Sequence, residues 1–445
     1  MSDAAILKPQ PSKGFRWLVL VFISLSMFGN YYAYDSIGPI FDLLKEQLHY
    51  SDSDLGLLYT VYSIAAVIVL LVGGYIIDRF GTKISVLVFG IICLAATAVT
   101  ASSPELWLML TGRFMLGIGA EPLIVAVTTA LAKWFKGKEL SFAFGVNLMI
   151  ARLGSVSADW STAWARPWYT NWQDPLWLST MITSACVVGG ILYYILEKRA
   201  ERLYSLGEQG ETEKLEFKSL YKFSPSYWYI VGLCVVFYST VFPFRAFAIK
   251  YFIEAHGTSR EIGGFLNSFL PLAAMVATPL FGLLVDRVGK RSLFMFAGSL
   301  VLLPLFLVVT YAPAGPILEF ALPVFGDIAI PLTLLIVMTL LGIAFSMIPA
   351  IMWPSVAYIV DERRLGSAYS MMTLCQQVGM AAIPWLIGEL NDRLGAGPDN
   401  PGGYSGGMWV FTALSIFGLV FSFLLWRQER GPDRHGLETI TMSSK

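Results

Sequence analysis

A chain of 445 residues that is 56% hydrophobic and only 14% charged lies outside the range of soluble globular domains and inside that of polytopic membrane proteins. Its 31 basic and 31 acidic residues cancel, which argues against a nucleic-acid partner, because phosphate backbones are bound by concentrated basic surfaces. Cys93, Cys186, Cys234 and Cys375 fall in apolar stretches, and His49, His256 and His435 in predicted loops or the tail. Neither a disulfide framework nor a metal or other cofactor is expected.

Residues 1–15 are a polar N-terminus, and the apolar run that follows is too long for a signal-peptide core, so it is read as a retained membrane helix. Apolar runs of spanning length, about 20 residues each, are placed near 16–40, 55–77, 84–101, 106–132, 140–162 and 176–196. A second set is placed near 227–250, 262–284, 292–312, 328–350, 365–389 and 407–427. The fold class expected is an all-α membrane protein of twelve transmembrane helices, with a six-helix bundle over 16–196, a polar linker over 197–226, a second six-helix bundle over 227–427 and a tail over 428–445. The loops on the side of the termini carry Arg79, Lys83, Lys133, Lys136, Lys138, Lys290, Arg291, Arg363 and Arg364, whereas the opposite loops carry few cations. The excess of basic residues on one side places both termini in the cytoplasm.

An internal repeat supports the same division. Gly74-Tyr75-Ile76-Ile77-Asp78-Arg79-Phe80-Gly81 returns as Gly282-Leu283-Leu284-Val285-Asp286-Arg287-Val288-Gly289. Farther on, Glu121 lines up with Ser346 and Arg152 with Gln377, with the long loop around Pro313 to Asp327 absorbing the change of offset. Two parallel half-repeats with a site between them form a secondary-transporter architecture.

The duplicated Gly-x-x-x-Asp-Arg-x-Gly turn resembles the signature loop of the major facilitator superfamily. Gly112-Arg113-Phe114-Met115-Leu116-Gly117 resembles its fourth-helix motif. The resemblance implies the fold of that superfamily, with Asp78, Arg79, Asp286 and Arg287 in the gating loops and Arg113 in a structural or coupling role.

Charges inside the spans are the sharper signal, since an ionised side chain at the centre of a membrane helix costs about 2.5 to 3.5 kcal/mol and therefore faces a partner or a cavity. Glu121 and Arg152 lie at matching height on consecutive helices, on the order of 20 Å from the intervening turn at about 1.5 Å per residue. They either neutralise each other across a packed helix pair or face a substrate as separated charges. In the second case Glu121 takes a cationic group and Arg152 takes a carboxylate with its two-pronged fork. Their counterparts in the second half are neutral, which suggests a polarised substrate such as a zwitterion; a short peptide is one. Tyr31 in the polar aromatic run of the first helix, Tyr238 on the seventh, Trp353 on the tenth and Gln377 on the eleventh complete the expected lining. Asp35 and Arg245 also match in depth, toward the outer side. They are read either as a gating ion pair, whose double charge reversal restores function, or as charges that snorkel separately.

The runs Leu108 to Arg113, Trp134 to Leu140, Arg152 to Val156, Val241 to Phe244 and Met352 to Ser355 resemble the lysosomal dipeptide uniporters of the superfamily. That likeness implies uniport of dipeptides, with Glu121 and Arg152 on the peptide ends. The short N-terminus, with no acidic dileucine signal, and the lack of an outer Asn-x-Ser/Thr site point to a bacterial plasma-membrane relative, in the cell inner membrane rather than a lysosomal one, and to a monomer for which an accessory subunit is not specified. A proton-coupled symporter of dipeptides or small carboxylates and a transport-inactive sensor or scaffold are the rival readings. An enzyme is not expected, because no catalytic set falls within the spans.

Overall fold

The computed structural model describes residues 9–70, 73–135, 139–204, 223–313, 315–361 and 364–441. The middle of the expected linker (205–222), residues 136–138 of the basic turn, and Arg363 lie outside the described residues. The first half contains α1 (Lys13–Asp35), α2 (Phe41–Leu48), α3 (Asp52–Leu70), α4 (Gly73–Phe80), α5 (Thr82–Ala101), α6 (Leu106–Phe135), α7 (Leu140–Trp164) and α8 (Asp174–Leu203). The second contains α9 (Pro225–His256), α10 (Arg260–Asn267), α11 (Phe269–Val288), α12 (Arg291–Tyr311), α13 (Leu332–Ile359), α14 (Leu365–Arg393) and α15 (Ser405–Gln428).

Eleven helices among the described residues are long and apolar enough to cross a membrane. The remaining long helix, α7, is 25 residues but carries Arg152 and Asp159 among several hydroxyl side chains. Helices suit this composition because hydrocarbon offers nothing to pair with backbone N–H and C=O groups, and a helix satisfies them internally. Side chains such as Trp107, Val276, Leu280 and Met181 remain more than half exposed on the outside of the bundle, as expected where lipid takes the place of water.

The chain ends share one face, here called the terminal face; the opposite one is the distal face. Apolar packing differs between them. One buried cluster belongs to the first half, running from Val19 through Ala126 to Ala200. The other fills the second half and extends into the distal parts of the first, taking in Ile37, Phe41, Leu44, Leu55, Leu58 and Tyr59. The halves therefore share a core on the distal side. Close backbone approach makes this possible: a Cβ on Gly56 of α3 would lie 2.3 Å from the carbonyl oxygen of Pro384, and one on Gly388 of α14 would lie 2.1 Å from that of Asp52.

Three stretches differ from the sequence-based expectation. Residues expected as a loop around Pro313 to Asp327 form an antiparallel pair, β1 (Ile317–Leu322) with β2 (Gly326–Pro331). Alternating exposure along β1 and burial of Ile328 and Ile330 in β2 are the period-two pattern of a half-buried strand. The following helix starts at Leu332, not near 328, and continues to Ile359 through Pro349 and Pro354. Helix α8 runs past the expected boundary at 196 to Leu203, because Glu197, the first residue of the expected linker, is a buried acceptor. It takes hydrogen bonds from the Lys133 ammonium at 2.9 Å and the Trp134 indole at 3.1 Å.

Candidate functional site

Midway along α6 and α7, Glu121 and Arg152 form no ion pair: no N···O separation between them is within 4.0 Å. Each instead meets the second half. The Gln377 amide of α14 donates to Glu121 Oε1 at 3.2 Å, and the Tyr62 hydroxyl of α3 donates to the same oxygen at 3.0 Å. The Arg152 guanidinium lies 5.4 Å from the Tyr31 ring of α1 and 5.5 Å from the Phe345 ring of α13, within cation–π range. An aromatic chain continues from there, with Phe345 against Phe242 at 5.8 Å, Phe242 stacked on Tyr238 at 5.4 Å, and the Trp353 indole donating to the Tyr238 hydroxyl at 3.1 Å.

Sequence features set these positions. Pro122 stands inside α6 directly after Glu121; having no N–H, it leaves the carbonyl one turn earlier without its helical donor. Gly154 lets α7 touch α1, since a Cβ there would lie 2.3 Å from the carbonyl oxygen of Phe28. That contact brings Arg152 beside Tyr31. Several polar atoms here are buried without a hydrogen-bond partner among the described residues, namely Arg152 Nε, Ser155 Oγ and Gln377 Oε1. Buried donors and acceptors are normally paired, so unpaired ones around a charged centre are the groups a polar ligand would satisfy. A small cavity on the Arg245 side of this centre is lined by Arg152, Arg245, Phe242 and Phe345.

Toward the distal face the expected Asp35 and Arg245 are brought together as an ion pair between α1 and α9. A third member was not anticipated: Asp159 of α7 accepts from Arg245 Nη2 at 2.7 Å and from the Asn267 amide at 2.8 Å. Its spacing from Arg152 and Ser155 on one helical face was the available signal. Nearer the distal end, Lys250 is 1% exposed and bonds Asp52 at 2.9 Å, Glu254 at 3.1 Å and the Tyr404 hydroxyl at 2.7 Å. Lys45 adds a contact to Glu254 at 3.7 Å, and Arg260 pairs with Asp42. Between described residues, the ion pairs that join the two halves all lie on the distal side of Glu121 and Arg152.

Arg113 is 2% exposed and finds no carboxylate within 4.0 Å among the described residues. Its guanidinium donates to the carbonyls of Leu58, Ala33 and Tyr34 at 3.2, 3.3 and 3.3 Å and lies 5.1 Å from the Tyr59 ring. It ties α6 to α1 and α3. Asp78 and Arg79 lie in α4 at the terminal face, Asp286 bonds Arg291 at 2.5 Å, and Arg287 is exposed beside it. None of these loop residues reaches the central charges. Also at the terminal face, the Lys13 ammonium 2.7 Å from Glu139 holds that carboxyl below its ordinary range. No group of His, Cys, Asp or Glu among the described residues could hold a metal ion.

The sequence profile of the Major Facilitator Superfamily matches residues 23–325 and also 246–440. The chain belongs to the major facilitator superfamily. It is a multi-pass membrane transporter of that superfamily and not an enzyme. Among curated relatives, the "Lysosomal dipeptide transporter MFSD1" of Danio rerio is 31% identical over 397 residues, covering 85% of this chain and 81% of that one. The protein of the same name from Homo sapiens is also 31% identical over 397 residues, with the same coverage. The crystal structure of a bacterial homolog to the human lysosomal transporter Spinster superposes with a TM-score of 0.71 at 15% identity, covering 94% of this chain and 98% of that one. That last likeness shows the superfamily fold. In its terms, Glu121, Arg152, Gln377 and Phe345 sit where the two halves of this transporter face each other.

Proposed function

We propose that this superfamily member is a dipeptide uniporter that works by alternating access, with Glu121 taking the peptide amino group and Arg152 its carboxylate. The observation that carries the reading is the unpaired state of these two charges. A structural ion pair would close on itself, since two opposite charges in a dry interior attract far more strongly than in water. Here each charge turns to neutral or aromatic groups of the other half, with polar atoms left open beside it. A free dipeptide supplies both missing charges at once, and the relatives named as dipeptide transporters favour it over other zwitterions. Tyr31, Tyr238 and Trp353 supply the apolar wall against its side chains. Asp35, Asp159 and Arg245 form the distal gate. The basic loops on the terminal face support a cytoplasmic location for both termini, in the inner membrane of a bacterial cell.

A second reading rests on the gate: two carboxylates, Asp35 and Asp159, share the single Arg245 cation, leaving an excess negative charge that a transported proton could neutralise. Transport that persists unchanged after collapse of the proton gradient excludes it.

The test is thermal unfolding of the purified protein against a panel of dipeptides, each free, N-acetylated or C-amidated. Ligand binding to the folded state raises the unfolding temperature by mass action. Free dipeptides should give the rise and either block should remove it. Equal rises with free and blocked peptides would overturn the assignment of the two ends.

A further inference from the structure

The tail after α15 folds back on the duplicated signature loop of the second half and builds a cavity there that dipeptide transport does not use. Backbone pairing fixes the contact, with Lys290 N–H donating to the Glu438 carbonyl at 3.1 Å and Arg291 N–H to the Leu437 carbonyl at 3.0 Å. Between α11 and α12, Lys290 adopts φ 54°. Such a backbone is uncommon for a side-chain-bearing residue and persists only where its surroundings hold it. Here the tail holds it. The cavity, about 240 Å³, is lined by Lys290, Glu429, Arg430, Arg434, Glu438 and Thr439.

The acids and cations of this cavity are not matched to each other. Glu429 is buried and accepts from the Ser226 hydroxyl at 2.9 Å, the His435 ring at 2.9 Å, and the N–H groups of His435 and Leu437 at 3.0 and 3.2 Å. Glu438 caps α12, accepting from the N–H groups of Ser292 and Leu293 at 3.1 and 3.3 Å and from the Ser292 hydroxyl. Both oxygens of Glu429 and Oε1 of Glu438 are engaged by donors of the fold. Lys290, Arg430 and Arg434 are exposed and have no carboxylate within 4.0 Å among the described residues; Arg430 rests on the Trp426 ring at 4.0 Å.

We propose that Lys290, Arg430 and Arg434 form a binding site for a phosphate-bearing anion at the terminal face of the second half, and that an acidic phospholipid headgroup supplies that phosphate from the adjoining leaflet. Arginine forks and a lysine point charge suit tetrahedral phosphate oxygens. Basic pockets at the membrane surface recognise lipid headgroups by this chemistry. Occupancy would fasten the tail to the loop between α11 and α12.

The full-length protein is reconstituted in phosphatidylcholine nanodiscs with and without phosphatidylglycerol, and in detergent with inorganic phosphate. Bound lipid is read by native mass spectrometry and the unfolding temperature by tryptophan fluorescence. Phosphatidylglycerol should bind and raise the unfolding temperature. Each cation removed should weaken its binding about fivefold, the worth of one basic side chain at a membrane surface. Arg434→Gln, which breaks no hydrogen bond or ion pair among the described residues, tests one such step, and the triple Lys290→Gln, Arg430→Gln, Arg434→Gln variant should lose the lipid-dependent rise. A control triple on α8, Lys198→Gln, Arg199→Gln, Arg202→Gln, should keep it. A rise given by inorganic phosphate alone and lost in the first triple keeps the phosphate site but assigns it to a free anion. No rise in the unaltered protein, or equal losses in the two triples, overturns the site.

Discussion

Arg152 is the residue on which the reading of the substrate turns, and its neighbours define what a replacement would lose. Its Nε is buried without a partner among the described residues, and its guanidinium lies 5.4 Å from the Tyr31 ring and 5.5 Å from the Phe345 ring. Lysine keeps the charge but not the two-pronged geometry. Arg152→Lys should therefore weaken dipeptide binding by about 1.5 to 3 kcal/mol, the worth of a hydrogen bond to a charged group, and shrink the dipeptide-induced thermal shift accordingly, with the unliganded unfolding temperature little changed. Glu121→Gln should abolish the shift with free dipeptides. Arg245 calls for a different test, because it holds two carboxylates. Reversing Asp35 and Arg245 together would put an aspartate at 245 against the one at 159, so Asp35→Arg with Arg245→Asp should not restore transport. Adding Asp159→Asn should restore part of it. Rescue by the double reversal alone would show that Asp159 carries no weight in the gate.

At the scale of elements, the contact of α3 with α14 decides how tightly the distal face closes. Gly56 and Gly388 allow it by leaving out two side chains, each of which would run into the opposite backbone. Overpacking at such a seam costs about 1 to 3 kcal/mol. Gly388→Leu should thus bias the transporter away from the closed distal face, measured as faster thiol labelling of a cysteine placed at Ser53 on the opposite side of the seam. This seam also shows what could be read from sequence and what could not. Glu121, Arg152, Asp35 and Arg245 are visible because a charge in an apolar run is expensive wherever it points, and helix rise gives their depth. Depth carries no azimuth. Asp159 was visible as a charge, but its attachment to Arg245 required the packing of α7 against α10, where Gly264 meets the Asp159 carbonyl. Nothing in the sequence singles out Lys250 and Glu254 near the end of a span; Asp52 and Tyr404 reach Lys250 from distant parts of the chain. The strand pair of 317–331 was hidden for another reason. Short alternating runs between two spans are outweighed by the long apolar signals on either side, although Gly326, with φ 70°, marks the turn.

For the whole molecule, the distribution of charge pairs is a statement about the transport cycle. Arg245 with Asp35 and Asp159, Lys250 with Asp52, and Arg260 with Asp42 form successive layers across the distal face. The apolar core is continuous between the halves on that side as well. Breaking one buried pair by removing a partner costs about 3 to 5 kcal/mol, so opening the distal face requires the layers to be replaced by other contacts, to water or to substrate. Arg152 and Arg245 line one cavity, so a carboxylate bound at Arg152 lies beside the first layer and can draw on the same cation. If alternating access proceeds through this face, locking it must separate binding from transport. In a background with Cys93, Cys186, Cys234 and Cys375 replaced by serine, Asp42→Cys and Arg260→Cys joined by a short bifunctional thiol reagent should abolish dipeptide counterflow in proteoliposomes. The thermal shift with free dipeptide should survive, because the crosslink leaves Glu121, Arg152 and their neighbours unaltered. Reductive release of a cleavable linker should restore the flux. Flux that continues through the locked protein would mean that the distal layers are a permanent seal and that the two charges serve a path opening elsewhere.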